Sequence, residues 1–308
     1  VIWNPSVVKK FLHLSIRYTF TMNRRDLLKT FPALALAPRP LAAAGKARMR
    51  TAICAYSFRE ELKNKSMSYD DIVRLAVDTG VDGLDLTVYW FPDLSDGFLL
   101  PLRRLAYKSG VEIYSISINT NMCQPTADRQ SKEIAKVREY VDAAAKLGAG
   151  HIRVFGGTVP KESTADQAAE WVREVLSRSA EYAGSKGVIL GLENHGGITE
   201  RADRIIQIVK QVDSPWVGIN LDTGNFRADA LKQIEMCLPY AVNVQVKAET
   251  RASDGSRQPQ DWDRIIGMLA KSGYQGYLAL EYEAKEPAPT AVPRLLKKLR
   301  EVASKHSA

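Results

Sequence analysis

The chain has 308 residues, 45% of them hydrophobic and 25% charged, with a formal net charge of +8. That composition suits one large globular domain or two small ones, and no run of 18 apolar residues exists to form a membrane span. The basic charge does not point to nucleic acid. Residues 1–44 hold seven basic side chains and one acidic one, and the other 264 residues carry 36 basic and 34 acidic side chains, which leaves no basic patch to expect.

The N-terminal stretch reads as an address. Residues 23–29 are NRRDLLK, residues 31–37 are the apolar run FPALALA, and residues 42–44 are three alanines. Twin arginine, apolar core and small-residue site together make a Tat-type signal peptide. Residues 1–21 are expected to be disordered upstream translation ahead of Met22. Residues 22–44 are then the signal, and 46–308 a single domain exported to the periplasm, with no membrane partner after cleavage. Cys54, Cys123 and Cys237 are too few and too widely spaced for a zinc pattern or a disulfide framework.

Beyond residue 44 apolar strands alternate with amphipathic helices. Strands are predicted at 51–57, 83–88, 111–118, 151–155, 188–193, 217–222, 241–245 and 277–281. Helices are predicted at 68–79, 99–109, 127–147, 164–185, near 201–211, near 228–237, at 262–271 and at 290–304. Ser68 is a candidate N-cap, and Gly80, Gly110 and Gly148 are stop signals. Eight strand–helix units in about 260 residues predict a parallel sheet closed into a (β/α)₈ TIM barrel. An open doubly wound sheet is the rival, but no G-x-G-x-x-G turn follows the first strand.

Period-two alternation separates the two faces of each strand. Branched apolar residues such as Ile219 and Leu221, or Leu278 and Leu280, should pack under the helices. The opposite phase then faces the barrel interior. It holds Asp85, Ser115, Ser117, His151 and Arg153, and at the ends of the last four strands Glu193, Asp222, Gln245 and Glu281. In a TIM barrel these strand ends are where active sites lie. Buried carboxylates must be paired, hydrogen-bonded or bound to a cation. Four hard oxygen donors suit a divalent metal, Mn²⁺ or Mg²⁺ before zinc. The alternative is a buried ionic network with Arg153, Lys247 and Arg251.

The segments GLENHGG (191–197), LDTGN (221–225), NVQVKAETR (243–251) and LALEYE (278–283) resemble the sugar phosphate isomerase/epimerase family, with its xylose isomerase-like TIM barrel. That family includes ketose 3-epimerases, inosose isomerases and dehydratases, and hydroxypyruvate isomerases. The resemblance implies a metal held by Glu193, Asp222, Gln245 and Glu281, with Mn²⁺ the expected ion and Mg²⁺, Co²⁺ or Zn²⁺ as alternatives. It makes Glu193 and Glu281 the catalytic bases and Arg251 a substrate-binding residue. Two positions depart from the pattern: Gln245 and Asn225 stand where the family carries histidine.

This layout supports proton transfer next to a carbonyl through an enediolate. The expected protein is an isomerase or epimerase acting on a keto-sugar, keto-inositol or related carbohydrate. A lyase or dehydratase using the same site is the runner-up. A non-catalytic carbohydrate-binding barrel and an endonuclease IV-like enzyme come behind, the latter because only three histidines follow residue 44. His195, Lys247, Asn225, Asn119 and Trp90 are candidate substrate contacts. Lys247 would bind an oxyanion or neutralise Glu249, and Trp90 would stack on a sugar or cap the rim. His151 and Trp262 read as core. The sequence fixes no oligomeric state, and a homo-oligomer is compatible with it.

Overall fold

The computed structural model describes residues 47–251 and 256–307; the predicted signal and everything before it lie outside the described residues. Among the described residues ten strands occur in order: β1 (Arg48–Cys54), β2 (Gly83–Thr87), β3 (Glu112–Ser117), β4 (His151–Phe155), β5 (Ile189–Glu193), β6 (Val217–Asp222), β7 (Ala241–Lys247), β8 (Glu249–Arg251), β9 (Arg257–Pro259) and β10 (Gln275–Glu281). Eight of them close a barrel in the order β1-β10-β7-β6-β5-β4-β3-β2, every pair parallel. Strands β8 and β9 form a separate antiparallel hairpin.

The helices are α1 (Arg59–Lys63), α2 (Tyr69–Thr79), α3 (Asp96–Lys108), α4 (Ala127–Leu147), α5 (Ala165–Ser185), α6 (Ala202–Val212), α7 (Ala230–Cys237), α8 (Trp262–Lys271) and α9 (Ala288–His306). Local chemistry sets their ends. Ser68 and Asp71 form a reciprocal capping box at the start of α2, and Gly80 ends it with φ +65°. Thr164 and Gln167 make the same box for α5. Helix α3 starts three residues before the expected position. Asp96 and Gly97 look like turn residues, yet Asp96 sits in the first turn, where a carboxylate suits the helix dipole. The short α1 and the β8–β9 hairpin have no strong periodicity and were not expected.

The main core lies between barrel and helices. Ile53, Leu84, Ile116, Ile152, Leu192, Ile219, Val244 and Leu280 are all fully buried there. The barrel interior is different, because most of its filling is polar. A bulge in the β6–β7 pairing contributes. It skips from Ile219 opposite Ala241 to Asn220 opposite Asn243, which brings Gln245 level with Asp222. The β7–β10 pairing sets Lys247 level with Glu281. Two polar layers result, one above the other.

Candidate active site

The lower layer is a directed chain of hydrogen bonds. Tyr114, stacked on Tyr277 at 3.7 Å, donates its hydroxyl to Asn243 Oδ1 at 3.1 Å. Asn243 Nδ2 donates to Asn220 Oδ1 at 2.7 Å, and Asn220 Nδ2 donates to Gln245 Oε1 at 2.7 Å. Gln245 Nε2 donates to Asp85 Oδ2 at 3.1 Å and reaches Cys54 Sγ at 3.6 Å. Asp85 Oδ1 also accepts from Ser115 and Ser117 at 3.0 and 2.9 Å. Because Ser115 gives its proton to Asp85, its oxygen accepts from His151 Nδ1 at 2.8 Å. This assigns His151 as the neutral Nδ1–H tautomer. Burial drives its pKa down to about 3, with Arg153 adding to the shift. Asp85 is held above the usual carboxylate range, chiefly by burial.

The upper layer carries the charges. Glu193 lies 3.0 Å from Arg153 Nε through Oε2, and Oε1 accepts from Asn225 Nδ2 at 3.1 Å. Arg153 also donates to the Tyr89 hydroxyl and the Ile118 carbonyl, and its guanidinium carbon lies 4.0 Å from the centre of the Phe155 ring. Lys247 Nζ is the second cation. It lies 3.2 Å from Asp222 Oδ2 and 2.5 Å from both Glu281 Oε1 and Glu283 Oε2. The Cys54 thiol reaches Glu281 Oε2 at 3.6 Å, and burial keeps it protonated by raising its pKa. Burial likewise lifts Glu193 well above the carboxylate range, against the pull of Arg153. It pushes Asp222 up to about 7, against the pull of Lys247.

A cavity of about 220 Å³ opens onto this layer. Glu193, Glu281, Glu283, Arg153 and Lys247 give it charge, Asn119, Asn225 and His195 give it hydrogen-bonding groups, and Tyr56, Tyr89 and Phe155 give it aromatic faces. A second cavity of about 540 Å³ shares His195, Asn225, Lys247 and Glu283 with the first, and adds Arg59, Arg227, Arg257, Glu200 and Glu249. The two are inner and outer compartments of one site at the C-terminal mouth of the barrel.

Most of the sequence-predicted residues meet here: Glu193, Asp222, Glu281, Lys247, His195, Asn225 and Asn119. Gln245 lies apart from them: its carbonyl oxygen accepts from Asn220 and its amide donates to Asp85, which places it in the lower layer. Trp90 stacks on Tyr56 at 6.0 Å, and Tyr56 and Tyr89 rather than Trp90 line the cavity. Lys247 does not neutralise Glu249, which pairs with Arg257. Arg251 ends β8, and its side chain lies outside the described residues. Trp262 is core as expected, and its Nε1 also donates to the Lys247 carbonyl at 2.7 Å. Cys54, Tyr56, Phe155 and Glu283 were missed. Cys54 and Glu283 share the inward phase of Glu281 and its neighbours, and that signal would have found them.

The donor set fits a divalent metal poorly. Lys247 Nζ lies within 3.2 Å of both Asp222 and Glu281, Arg153 Nε lies 3.0 Å from Glu193, and Gln245 gives its oxygen to Asn220, although Asp222 Oδ2 and Arg153 Nε are themselves buried without a hydrogen bond. Among the described residues, no group of three or more His, Cys, Asp or Glu side chains is placed to hold a metal ion.

Fold and site together define a (β/α)₈ barrel with a charged, polar site at its C-terminal mouth. The family model described as the xylose isomerase-like TIM barrel matches residues 73–302, and the chain belongs to that family. Among solved structures, a D-psicose 3-epimerase from Clostridium cellulolyticum H10, bound to D-tagatose, superposes with a TM-score of 0.67 at 18% identity, over 83% of this chain and 97% of that one. A xylose isomerase-like TIM barrel protein from Mycobacterium smegmatis, in complex with magnesium, gives 0.65 at 20% identity, over 86% and 98%. At such identities the likeness is one of fold. The alpha subunit of a 3'-dehydrocarminate deglycosidase from Microbacterium sp is 25% identical over 187 residues, 57% of this chain. The match spans about half the length of that relative, 49%.

Proposed function

We propose that this protein transfers a proton at the carbon next to a carbonyl group of a carbohydrate, and so epimerises or isomerises a keto-sugar, keto-inositol or related molecule. The observation that carries the reading is the grouping of Glu193, Glu281, Lys247 and Arg153 around one small cavity. Membership of a family that includes sugar-processing enzymes supports a carbohydrate substrate.

In this reading Glu281 removes the α-proton. The electron pair of the C–H bond moves toward the carbonyl carbon, and negative charge develops on the oxygen. Lys247 and Arg153 supply positive charge in a site shielded from bulk water, where such charge is most effective. Glu193, whose pKa burial raises against the pull of Arg153, delivers a proton to the opposite face or to the neighbouring carbon. His195 edges the cavity against the Phe155 ring at 4.3 Å. Burial and Arg153 depress its pKa, so its neutral ring can take or give a hydrogen bond to a hydroxyl. Tyr56 and Tyr89 offer faces to the apolar side of a sugar ring.

The outer compartment favours one second reading. A glycoside would place its oxidised sugar in the inner cavity and its substituent in the outer one. The same intermediate would then expel the substituent from the β-carbon, with the leaving oxygen taking a proton. The likeness to a deglycosidase subunit fits this lyase reading. The test is a screen of keto-sugars, inososes and oxidised glycosides in D₂O, followed by mass spectrometry. Deuterium gain without fragmentation supports the isomerase, and release of the substituent supports the lyase. No exchange and no release from any of them, with folded protein, would count against both.

A further inference from the structure

We propose that the electrophile of this site is an ammonium group, Lys247, standing where a divalent cation would otherwise sit, and that the protein turns over its substrate without a metal ion. The turnover part rests on the proton-transfer reading; the cation part does not.

Three observations carry it. First, Lys247 is a buried residue, 7% exposed, and its Nζ has three carboxylate neighbours, Asp222, Glu281 and Glu283. An ammonium has three donors and no acceptor; two are hydrogen-bonded to Glu281 and Glu283, while Asp222 Oδ2, 3.2 Å away, is an ion-pair neighbour that holds no hydrogen bond, which leaves one donor for an oxyanion.

Second, the lysine is built into place. Its backbone N–H donates to Thr223 Oγ1 at 3.1 Å, and its carbonyl accepts from the Trp262 indole at 2.7 Å. Its stem crosses the bare face of Gly224, where a Cβ would come within 2.5 Å of Lys247 Cγ.

Third, both amides at the positions where the family resemblance predicts histidine present N–H donors to carboxylates: Gln245 to Asp85 and Asn225 to Glu193. An imidazole nitrogen would offer a metal a lone pair. These amides turn N–H groups to the carboxylates instead, and the Gln245 oxygen is taken by Asn220. With Arg153 already on Glu193, no carboxylate of the upper layer lacks a polar neighbour.

The chemistry balances without a metal. The C–H bond breaks, its electron pair reaches the carbonyl oxygen, and the proton goes to a carboxylate. The ammonium faces the oxyanion and donates a hydrogen bond to it. Nothing is oxidised or reduced.

The test uses the full protein, treated with EDTA, dialysed against manganese chloride, and then measured for bound manganese by mass spectrometry. α-Proton exchange is followed in parallel with EDTA and with added Mn²⁺. Substoichiometric manganese and equal exchange rates are expected. One tightly held equivalent of manganese, or exchange that EDTA abolishes and Mn²⁺ restores, would overturn the proposal. Lys247→Met should lower exchange by about 100-fold or more, as loss of an oxyanion-stabilising donor does, and a variant exchanging at the wild-type rate would also overturn it. If no substrate undergoes exchange, the function reading fails, while the manganese measurement still decides the nature of the cation.

Discussion

Replacing Lys247 with methionine keeps the stem and removes the ammonium that lies among Asp222, Glu281 and Glu283. Breaking a buried ion pair on one side costs on the order of 3–5 kcal/mol. The carboxylates can limit the loss by taking up a proton. At pH 7, about three units above an ordinary carboxyl pKa, that uptake costs roughly 4 kcal/mol, at about 1.4 kcal/mol per unit. Asp222 is the first to take the proton, because burial already pushes its pKa up to about 7. Part of the cost is therefore present in the wild type, and the difference should be about 3 kcal/mol at pH 7–8. The sign follows from linkage. The variant's folded state holds more protons than its unfolded state, so its stability falls as pH rises. The deficit should shrink to about 1 kcal/mol near pH 5. Urea unfolding followed by circular dichroism at pH 5, 6.5 and 8 measures it. A loss below about 0.5 kcal/mol, as at an ordinary surface site, or one that does not grow with pH, would refute the reasoning.

Two other substitutions probe the lower layer. A Cβ on Gly191 would lie 2.2 Å from His151 Nε2 and 3.0 Å from Asn220 Cβ. Gly191→Ala should therefore cost about 1–3 kcal/mol by overpacking, measured by the same unfolding, and a neutral effect would contradict the packing. His151 falls from 6.5 to about 3 on folding, so between those values the unfolded chain binds the extra proton. Its contribution is fully present above pH 6.5 and is lost as pH falls toward 3, at about 1.4 kcal/mol per unit. Subtracting the curve of His151→Gln from that of the wild type should isolate this slope, and parallel curves would contradict a neutral buried ring.

Much of the fold was legible because the signals were local and strong. Gly148 at φ +83° closes α4 where expected, and β4, β6 and α8 match their predicted bounds residue for residue. The inward phase of Glu193, Asp222 and Glu281 followed from alternation alone. What alternation does not contain is height and partner. Gln245 shares the phase of Glu281 but sits one pleat lower than Lys247, and the β6–β7 bulge decides which neighbours it meets. The ion pairs of Lys247 were equally hidden, since they join β7 to β6 and β10 across positions far apart in sequence. Trp90 and Tyr56 show the same limit: both are aromatics just after a strand, and only their packing tells which one faces the cavity.

The central claim is that a carboxylate of this cavity removes a proton next to a carbonyl, with Glu281 as the base. Its most direct test is the rate of deuterium incorporation into a substrate found in the D₂O screen, measured for wild type and for Glu281→Gln of verified fold. The account predicts exchange by the wild type and a loss of about 10²–10⁴-fold in the variant, as removal of a general base gives. Equal rates in the two proteins would contradict it.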